Sequence, residues 1–229
     1  MKKIFYLLAV ANMIIVSSCQ KRFDELQKNP NVSDVAPPNL LLNKLLNDLS
    51  AGIGGVEPFG AVARYSQYYC RNYQYYGDNQ YNWNNGPFDI YTNTLKNIVQ
   101  MDKEAERLEK SNQTAYHAIG KFLRAYYFYN LTSLMGDVPL KDALKGSELL
   151  QPAYDTQKDV FLQVLAWLDE ANNDLKSLDD RKASVSGDFF YNGDFTKWRR
   201  VTNAFKLRVL IALSKKEADA DLKIKQRFT

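Results

Sequence analysis

The stretch from Asn112 to Leu140, NQTAYHAIGKFLRAYYFYNLTSLMGDVPL, constrains the fold of this 229-residue chain more than any other part of it. Its apolar residues recur at steps of three and four, the spacing of an amphipathic helix, and further rings widen the apolar surface beyond one stripe. Gly136 suits a C-terminal cap with positive φ, and Pro139 lacks the amide donor that a continuing helix requires. We therefore predict one long helix, here called the hub helix, that ends at Met135 or Gly136 and needs neighbours on several sides. Its predicted core face consists of Ala115, Ile119, Phe122, Leu123, Tyr126 and Leu134.

A second amphipathic helix precedes the hub helix almost without a gap. Pro87 suits its first turn, and apolar residues continue at helical spacing to about Lys110. Ser111 or Asn112 can then cap the hub helix. Because two long helices joined by so short a turn must run in opposite directions, we predict an antiparallel hairpin.

The residues after the hub helix predict a second hairpin. Thr156 followed by Asp159 fits a capping box, and Asp194 can cap the helix after that. The rings of Phe189-Phe190-Tyr191 lie in the connection and are predicted to seal the hairpin rather than bind a ligand. After Ser214 the tail is mostly charged, so we expect one face of the last helix to stay open.

Two further helices are predicted before Pro87. The first carries the apolar face of Leu40–Leu49 and is ended by glycines, and the second runs from Pro58 to about Tyr76. The loop from Tyr73 to Gly86 is rich in Asn, Gly and Asp but also contains many rings. Pyranose rings stack on aromatic faces while amides and carboxylates bind the hydroxyls, so this composition favours a sugar site. The alternative, which stays open, is that the rings only pin a long loop onto the helices.

The first residues indicate export and anchoring. A short cationic start precedes the apolar run Ile4–Val16, which is shorter than the ~20 residues of a membrane span and is typical of a secretory signal. Val16-Ser17-Ser18-Cys19 resembles the lipobox of bacterial lipoproteins, which implies cleavage before Cys19 and acylation of that residue, anchoring the chain to a membrane. An ordinary signal peptide is the alternative. The predicted divisions are a signal at 1–18, a lipidated tether at 19–38 and a helical body at 39–229.

Charge and composition exclude several functions. Removing Lys2 and Lys3 with the signal leaves 28 of 30 basic residues against 26 acidic ones, a balance that does not suit nucleic acid. His117 is the only histidine and is predicted to be a surface or packing residue, so no metal site is expected. No sequence motif of a cofactor-binding protein is present. If Cys19 is lipidated, Cys70 has no disulfide partner within the chain.

Several short sequence motifs, in order along the chain, resemble those of the SusD/RagB family of outer-membrane nutrient-binding lipoproteins. They are Ala118–Tyr129, Gly136-Asp137-Val138-Pro139-Leu140, Tyr154-Asp155-Thr156-Gln157, Leu168-Asp169-Glu170-Ala171, and Lys197-Trp198 continuing through Asn203, Leu207 and Arg208. The resemblance implies an all-α fold of tetratricopeptide-like helical hairpins with long aromatic-rich loops. Family members are roughly twice this length, so the chain resembles their N-terminal part and is expected to lack the C-terminal half.

The resemblance also implies a function. Such proteins sit on the exterior of the outer membrane, cap a SusC-like TonB-dependent transporter, and capture oligosaccharides or sometimes peptides for import, without catalysis or a cofactor. Their ligand sites commonly use rings on loops outside the helices. Carried over to this chain, the loop before Pro87 provides the ring candidates Tyr75, Tyr76, Tyr81 and Trp83 and the polar candidates Arg71, Asp78 and Asn79.

Two alternative functions remain from the sequence. One is a lipid-anchored, tetratricopeptide-like scaffold that binds other envelope proteins and no small ligand. The other is an anchored hydrolase using Asp78 with Asp89 or Asp137, but any chain with 26 acidic residues offers such pairs. The sequence therefore favours a binding protein over an enzyme.

Overall fold

The computed structural model describes residues 35–54, 66, 68, 87–178 and 183–228. Pro37–Thr229 forms one compact unit, and Met1–Ala36 is a separate one of which only Val35 and Ala36 are described. The predicted signal and most of the predicted tether lie outside the described residues. The same holds for the predicted helix from Pro58 to Tyr76, apart from Ser66 and Tyr68.

Helices account for the regular structure of the compact unit. They are α1 (Pro38–Gly54), α2 (Lys96–Ala105), α3 (Lys110–Met135), α4 (Gln157–Ser177), α5 (Phe195–Ala212) and α6 (Ile224–Arg227). A 3-10 turn at Pro87–Asp89 and a π-helical turn at Tyr91–Leu95 lead into α2, and further 3-10 turns occupy Gly146–Glu148 and Ser214–Lys216. The described residues form no strand beyond an isolated antiparallel bridge between Val138 and Asp155. The predicted all-α fold is confirmed.

Consecutive helices from α2 to α5 run antiparallel. Tyr91, before α2, packs its ring edge-on against Phe128 near the end of α3, at a centroid distance of 6.0 Å. Tyr129, late in α3, meets Phe161, early in α4, at a centroid distance of 6.1 Å. Nε of Arg199, early in α5, donates to Oδ1 of Asn172, late in α4, at 3.4 Å. Early residues of one helix thus meet late residues of its neighbour, as the two predicted hairpins require.

The hub helix α3 lies at the centre of the core. It packs against α2, α4 and α5, and α1 packs against α2. Its fully buried side chains include Ile119 and Leu123, and burial of such residues drives folding at about 25 cal/mol per Å² of apolar surface. Gly120 lets α2 approach closely, because an added Cβ would lie 2.8 Å from Asp102 Oδ1. The prediction of neighbours on several sides is therefore correct.

Three predicted helix ends agree with the structure. Met135 is the last residue of α3, and Gly136 follows it with φ 79°. Thr156 caps α4, since its hydroxyl oxygen accepts the N–H of Asp159 at 3.2 Å. Asp194 caps α5 by accepting the N–H of Lys197 at 2.9 Å. Each end follows from short-range backbone chemistry, which explains why the sequence predicts it.

The junction between α2 and α3 differs from the prediction. The helix after Pro87 is interrupted by the π-helical turn and ends at Ala105, several residues before Lys110. Neither Ser111 nor Asn112 caps α3, which already begins at Lys110 and has no side-chain cap. The Asn112 amide oxygen instead accepts the N–H of Ser184, 2.8 Å away, so a tertiary contact competes successfully for the side chain.

Burial along the chain corrects two further expectations. Leu134, predicted on the core face of the hub helix, is 63% exposed, because the core contact of α3 passes to Leu131 one turn earlier. The charged tail contributes more than expected, since Leu222 and Ile224 are buried in the core. Arg227 of α6 also binds Asp169 of α4 at 2.7 Å.

The open face predicted for the last long helix is present on α5. Leu207 is 44% exposed and Ile211 is 63% exposed, one turn apart on the same side of the helix. In the described part of the chain, no helix combines the length and apolar character needed to cross a bilayer.

Candidate functional site

The residues predicted to bind a sugar are not among those that the structure describes. Arg71, Tyr75, Tyr76, Asp78, Asn79, Tyr81 and Trp83 all lie between Tyr68 and Pro87, and Cys19 lies before Val35. Their assignment stays a prediction. The structure does describe the helices that follow this loop, here called the helical frame, and the surfaces of those helices.

Two of the sequence motifs, residues 136–140 and 154–157, are hydrogen-bonded to each other. Val138 and Asp155 exchange backbone hydrogen bonds of 3.1 and 3.0 Å, and Asp155 Oδ2 accepts the N–H groups of Leu140 and Lys141, each at 2.9 Å. Asp137 Oδ1 accepts the N–H of Gln157 at 2.8 Å. We call this cross-connection the clasp; it joins the end of α3 to the start of α4.

The clasp also reaches the segment before α2. The Tyr91 hydroxyl donates to the carbonyl oxygen of Pro139. Burial, together with the nearby Tyr154 and Asp155, raises the pKa of Tyr91, so the phenol stays protonated and acts as a donor. At Asp155, burial raises the pKa of the carboxyl, but the N–H groups of Lys141 and Leu140 outweigh burial and hold it below its usual range. The clasp is therefore built around an ionised Asp155.

A second polar centre organises the connection between α4 and α5. Asp188 is buried, and its Oδ1 accepts the N–H groups of Phe190 and Tyr191 at 3.0 and 3.1 Å. Its Oδ2 accepts the N–H of Gly193 at 2.9 Å and the indole N–H of Trp198 at 2.7 Å. Four donors thus converge on one carboxylate, and they set the direction of the rings that follow it.

A third polar cluster lies between α2 and α3. Arg124 forms an ion pair with Asp102, and the Nε2 atom of His117 lies 3.1 Å from the Asp102 carbonyl oxygen. Burial raises the pKa of the Asp102 carboxyl to about 6, and the charges of Arg124, His117 and Lys121 oppose that rise. Lys121 also binds Glu170 and Asp174 of α4 at 3.0 and 2.9 Å. The cluster ties three helices together, as expected for a structural network, and His117 is part of it.

A cavity of about 290 Å³ lies between α1, α3, α5 and the connection that Asp188 organises. Its floor is formed by Phe122, Trp198 and Phe205, all buried. Its rim includes Tyr126, Tyr191 and Arg208. We call these six residues the aromatic cup.

The rings of the aromatic cup hold one another in place. Phe122 meets Trp198 at a centroid distance of 5.6 Å and an interplanar angle of 66°, and it meets Phe205 at 5.9 Å and 76°. Tyr191 meets Trp198 at 5.2 Å and 88°. Edge-to-face pairs of this kind add about 0.5–1.5 kcal/mol each beyond the burial of their area. The cup is therefore a preformed concave surface.

The amino-acid sequence does not reveal this cavity. It predicts that Phe122 and Tyr126 pack in the core and that Tyr191 seals the hairpin, and these predictions are partly correct because the rings also contact other helices. The missing information is tertiary: the rings come from three separate segments, and no short-range pattern brings them together. The described residues contain no group of three or more His, Cys, Asp or Glu that could hold a metal ion.

A comparison with protein families adds the decisive observation. Residues 30–228 match a SusD-like family whose description is starch-binding, associating with outer membrane. The chain belongs to this SusD-like family. The match covers both predicted hairpins and every sequence motif that resembles the family, so the predicted membership is confirmed.

Solved structures agree with the assignment of the SusD-like chain. An outer membrane protein from Bacteroides vulgatus, described as probably involved in nutrient binding, is 33% identical with a TM-score of 0.64, over 85% of this chain and 40% of that one. A SusD homologue from Bacteroides fragilis is 31% identical with a TM-score of 0.67, over 84% and 39%. A chitin-binding protein is 31% identical with a TM-score of 0.51, over 62% and 30%. No curated protein matches.

The SusD-like chain is much shorter than these relatives. It spans about two fifths of the length of the Bacteroides vulgatus and Bacteroides fragilis proteins. The matched part contains the helical frame, the clasp and the aromatic cup. The activity and the partners of these longer proteins are therefore only proposed for this chain.

Proposed function

We propose that the SusD-like chain is a cell-surface lipoprotein that captures a glycan as nutrient for a SusC-like TonB-dependent transporter in the outer membrane. The observation that carries this proposal is the family match over residues 30–228, with its starch-binding description. Similarity to a chitin-binding protein supports a carbohydrate ligand. The chain would act by binding alone, without a cofactor or a catalytic step.

The proposed ligand site is the ring-rich loop before Pro87. Tyr75, Tyr76, Tyr81 and Trp83 would stack on sugar rings, and Arg71, Asp78 and Asn79 would bind the hydroxyls. This assignment rests on composition and on the family's use of loop rings. It places the ligand outside the helical hairpins.

Trp83→Ala or Tyr81→Ala is expected to weaken glycan binding by about tenfold or more, because a stacked ring in a site is commonly an energetic hot spot. Binding should be measured by calorimetry against a panel of starch and chitin oligosaccharides, with helicity followed by circular dichroism. Tyr154→Ala is the matched control, since Tyr154 is an exposed ring in a different loop. Unchanged binding across the panel in both loop variants would remove the site assignment.

The proposed anchor is Cys19. Cys19→Ala is expected to shift most of the protein out of the membrane fraction or to leave the signal uncleaved, because two or more acyl chains are needed for stable anchoring. Membrane fractionation with metabolic labelling by palmitate measures both effects. Cys70→Ala is the control and should leave the anchoring unchanged. A Cys19→Ala protein that is processed and retained normally would refute the lipoprotein proposal.

The alternative is a lipid-anchored scaffold whose helical hairpins bind other envelope proteins. The antiparallel hairpins of α2–α5 favour it, because such packing presents extended helical surfaces to proteins. The two proposals differ in one observable: only glycan capture requires saturable oligosaccharide binding. A gene for a TonB-dependent barrel beside this one would also favour capture.

A further inference from the structure

We propose that the aromatic cup binds a small monocyclic aromatic carboxylate, with the ring on the floor and the carboxylate against Arg208. None of its six residues belongs to the loop proposed to bind glycan, so the two proposals are tested independently. The inference rests on three features of the cup: its volume, its apolar floor and the charge on its rim.

The volume suits one ring. The cavity holds about 290 Å³, at the lower end of the ~300–1,000 Å³ typical of ligand pockets. Phe122, Trp198 and Phe205 line the cavity although each is less than 8% exposed, so only a small part of each ring is open to a ligand. Water in such a space finds few hydrogen-bond partners, so an apolar ring displaces it favourably. The single indole donor on the floor, Trp198 Nε1, is already bound to Asp188 at 2.7 Å.

The rim selects an anion. Arg208 is exposed and, among the described residues, its side chain makes no ion pair or hydrogen bond. A guanidinium remains charged at all relevant pH values and binds a carboxylate through two parallel N–H donors. The hydroxyls of Tyr126 and Tyr191 likewise have no hydrogen-bond partner within the described part of the chain. They can donate to a ligand oxygen at the mouth of the cup.

The same features argue against a sugar in the cup. A pyranose carries hydroxyls around its whole edge, and each one that is buried without a partner costs binding free energy. The floor offers no free polar group for them. An aromatic acid has its polarity at one end, which matches an apolar floor with a charged rim.

The test is a calorimetric titration of the intact chain with phenylacetate and with 4-hydroxybenzoate. Both acids are expected to bind, and benzyl alcohol, which has a similar shape without the charge, is expected to bind at least about tenfold more weakly. Glucuronate supplies a carboxylate on a pyranose and is expected not to bind. These arms use only the unmodified protein, so they do not depend on the folding of any variant.

Three variants then locate the ligand. Arg208→Gln should weaken acid binding by about tenfold, and Arg200→Gln, a matched change of an exposed arginine on the same helix that does not line the cavity, should not alter it. Ala204→Trp adds a ring at the wall of the cavity and should abolish binding; Ala204 is exposed, so the core is not disturbed. Circular dichroism checks that each variant is folded.

Several outcomes would overturn the proposal. Acid binding weaker than ~1 mM would show that the cup is an unoccupied packing defect. Equal binding of benzyl alcohol and phenylacetate, or equal effects of Arg208→Gln and Arg200→Gln, would show that charge plays no part. Tighter binding of glucuronate than of phenylacetate would assign the cup to sugar acids instead.

Discussion

Gly187→Ala is expected to lower the free energy of unfolding by about 3 kcal/mol or more, the largest effect expected for alanine at any glycine whose surroundings the structure describes. Gly187 has φ +86°, a conformation that residues with a Cβ seldom adopt. An added Cβ would also lie 2.1 Å from the carbonyl oxygen of Asn39 and 2.8 Å from its carbonyl carbon. Both atoms are backbone atoms in the first turn of α1, so neither can rotate away. Urea unfolding followed by circular dichroism measures the loss.

Gly146→Ala separates the two causes in this prediction. Gly146 also has a positive φ, +61°, but an added Cβ there would meet no atom within 4 Å. Its replacement should therefore cost only about 1 kcal/mol, the conformational part alone. Equal losses at Gly146 and Gly187 would mean that the close contact with α1 contributes nothing to stability.

Asp188→Ala is expected to cost about 3–5 kcal/mol, because it removes the acceptor of four hydrogen bonds inside the protein. The indole N–H of Trp198 is fully buried and would lose its partner without gaining water. The N–H groups of Phe190, Tyr191 and Gly193 would lose theirs together. Thermal and urea unfolding should both show the lower stability. The folded variant should lose little helix content.

Two further substitutions test the explanation for Asp188. Asp188→Asn keeps the size of the side chain and one acceptor oxygen but turns an amide N–H₂ towards the donors of Gly193 and Trp198, so an intermediate loss is expected. Trp198→Phe removes the indole donor and leaves a ring on the floor of the cup. If Asp188→Ala costs less than about 1 kcal/mol, the four hydrogen bonds are not what stabilises this connection.

Short-range chemistry accounts for what the sequence predicted well. The end of α3 follows from Gly136 and Pro139, and the starts of α4 and α5 follow from the side chains of Thr156 and Asp194. In each case the decisive contact lies within about four residues of the helix end, so it can be read locally. The helical character of the whole unit follows from apolar spacing in the same way.

Long-range competition accounts for what the sequence predicted poorly. Asn112 has the chemistry of a cap, but Ser184, far away in the chain, supplies a donor at 2.8 Å. Leu134 fits the apolar stripe of α3, yet no other element covers it. The aromatic cup combines residues from α3, α5 and the connection at Asp188, and its volume depends on how these segments pack. None of this can be deduced from residue spacing.

The predicted glycan site lies outside the part of the chain that the structure describes. Its candidates, among them Tyr81 and Trp83, were chosen by loop composition and by family resemblance. Family membership supports the class of ligand without testing these positions. The binding measurements on the loop variants decide that assignment.

The clasp makes the segment it encloses a convenient place to add sequence. Because Val138 and Asp155 are joined directly, the distance between α3 and α4 does not depend on how many residues separate Lys141 from Tyr154. Leu150, within that segment, is 82% exposed. A peptide tag or a fluorescent reporter placed there would protrude from the protein while the helices on either side keep their spacing. For the same reason, related proteins could carry insertions in this segment without a change in the packing of α3 against α4.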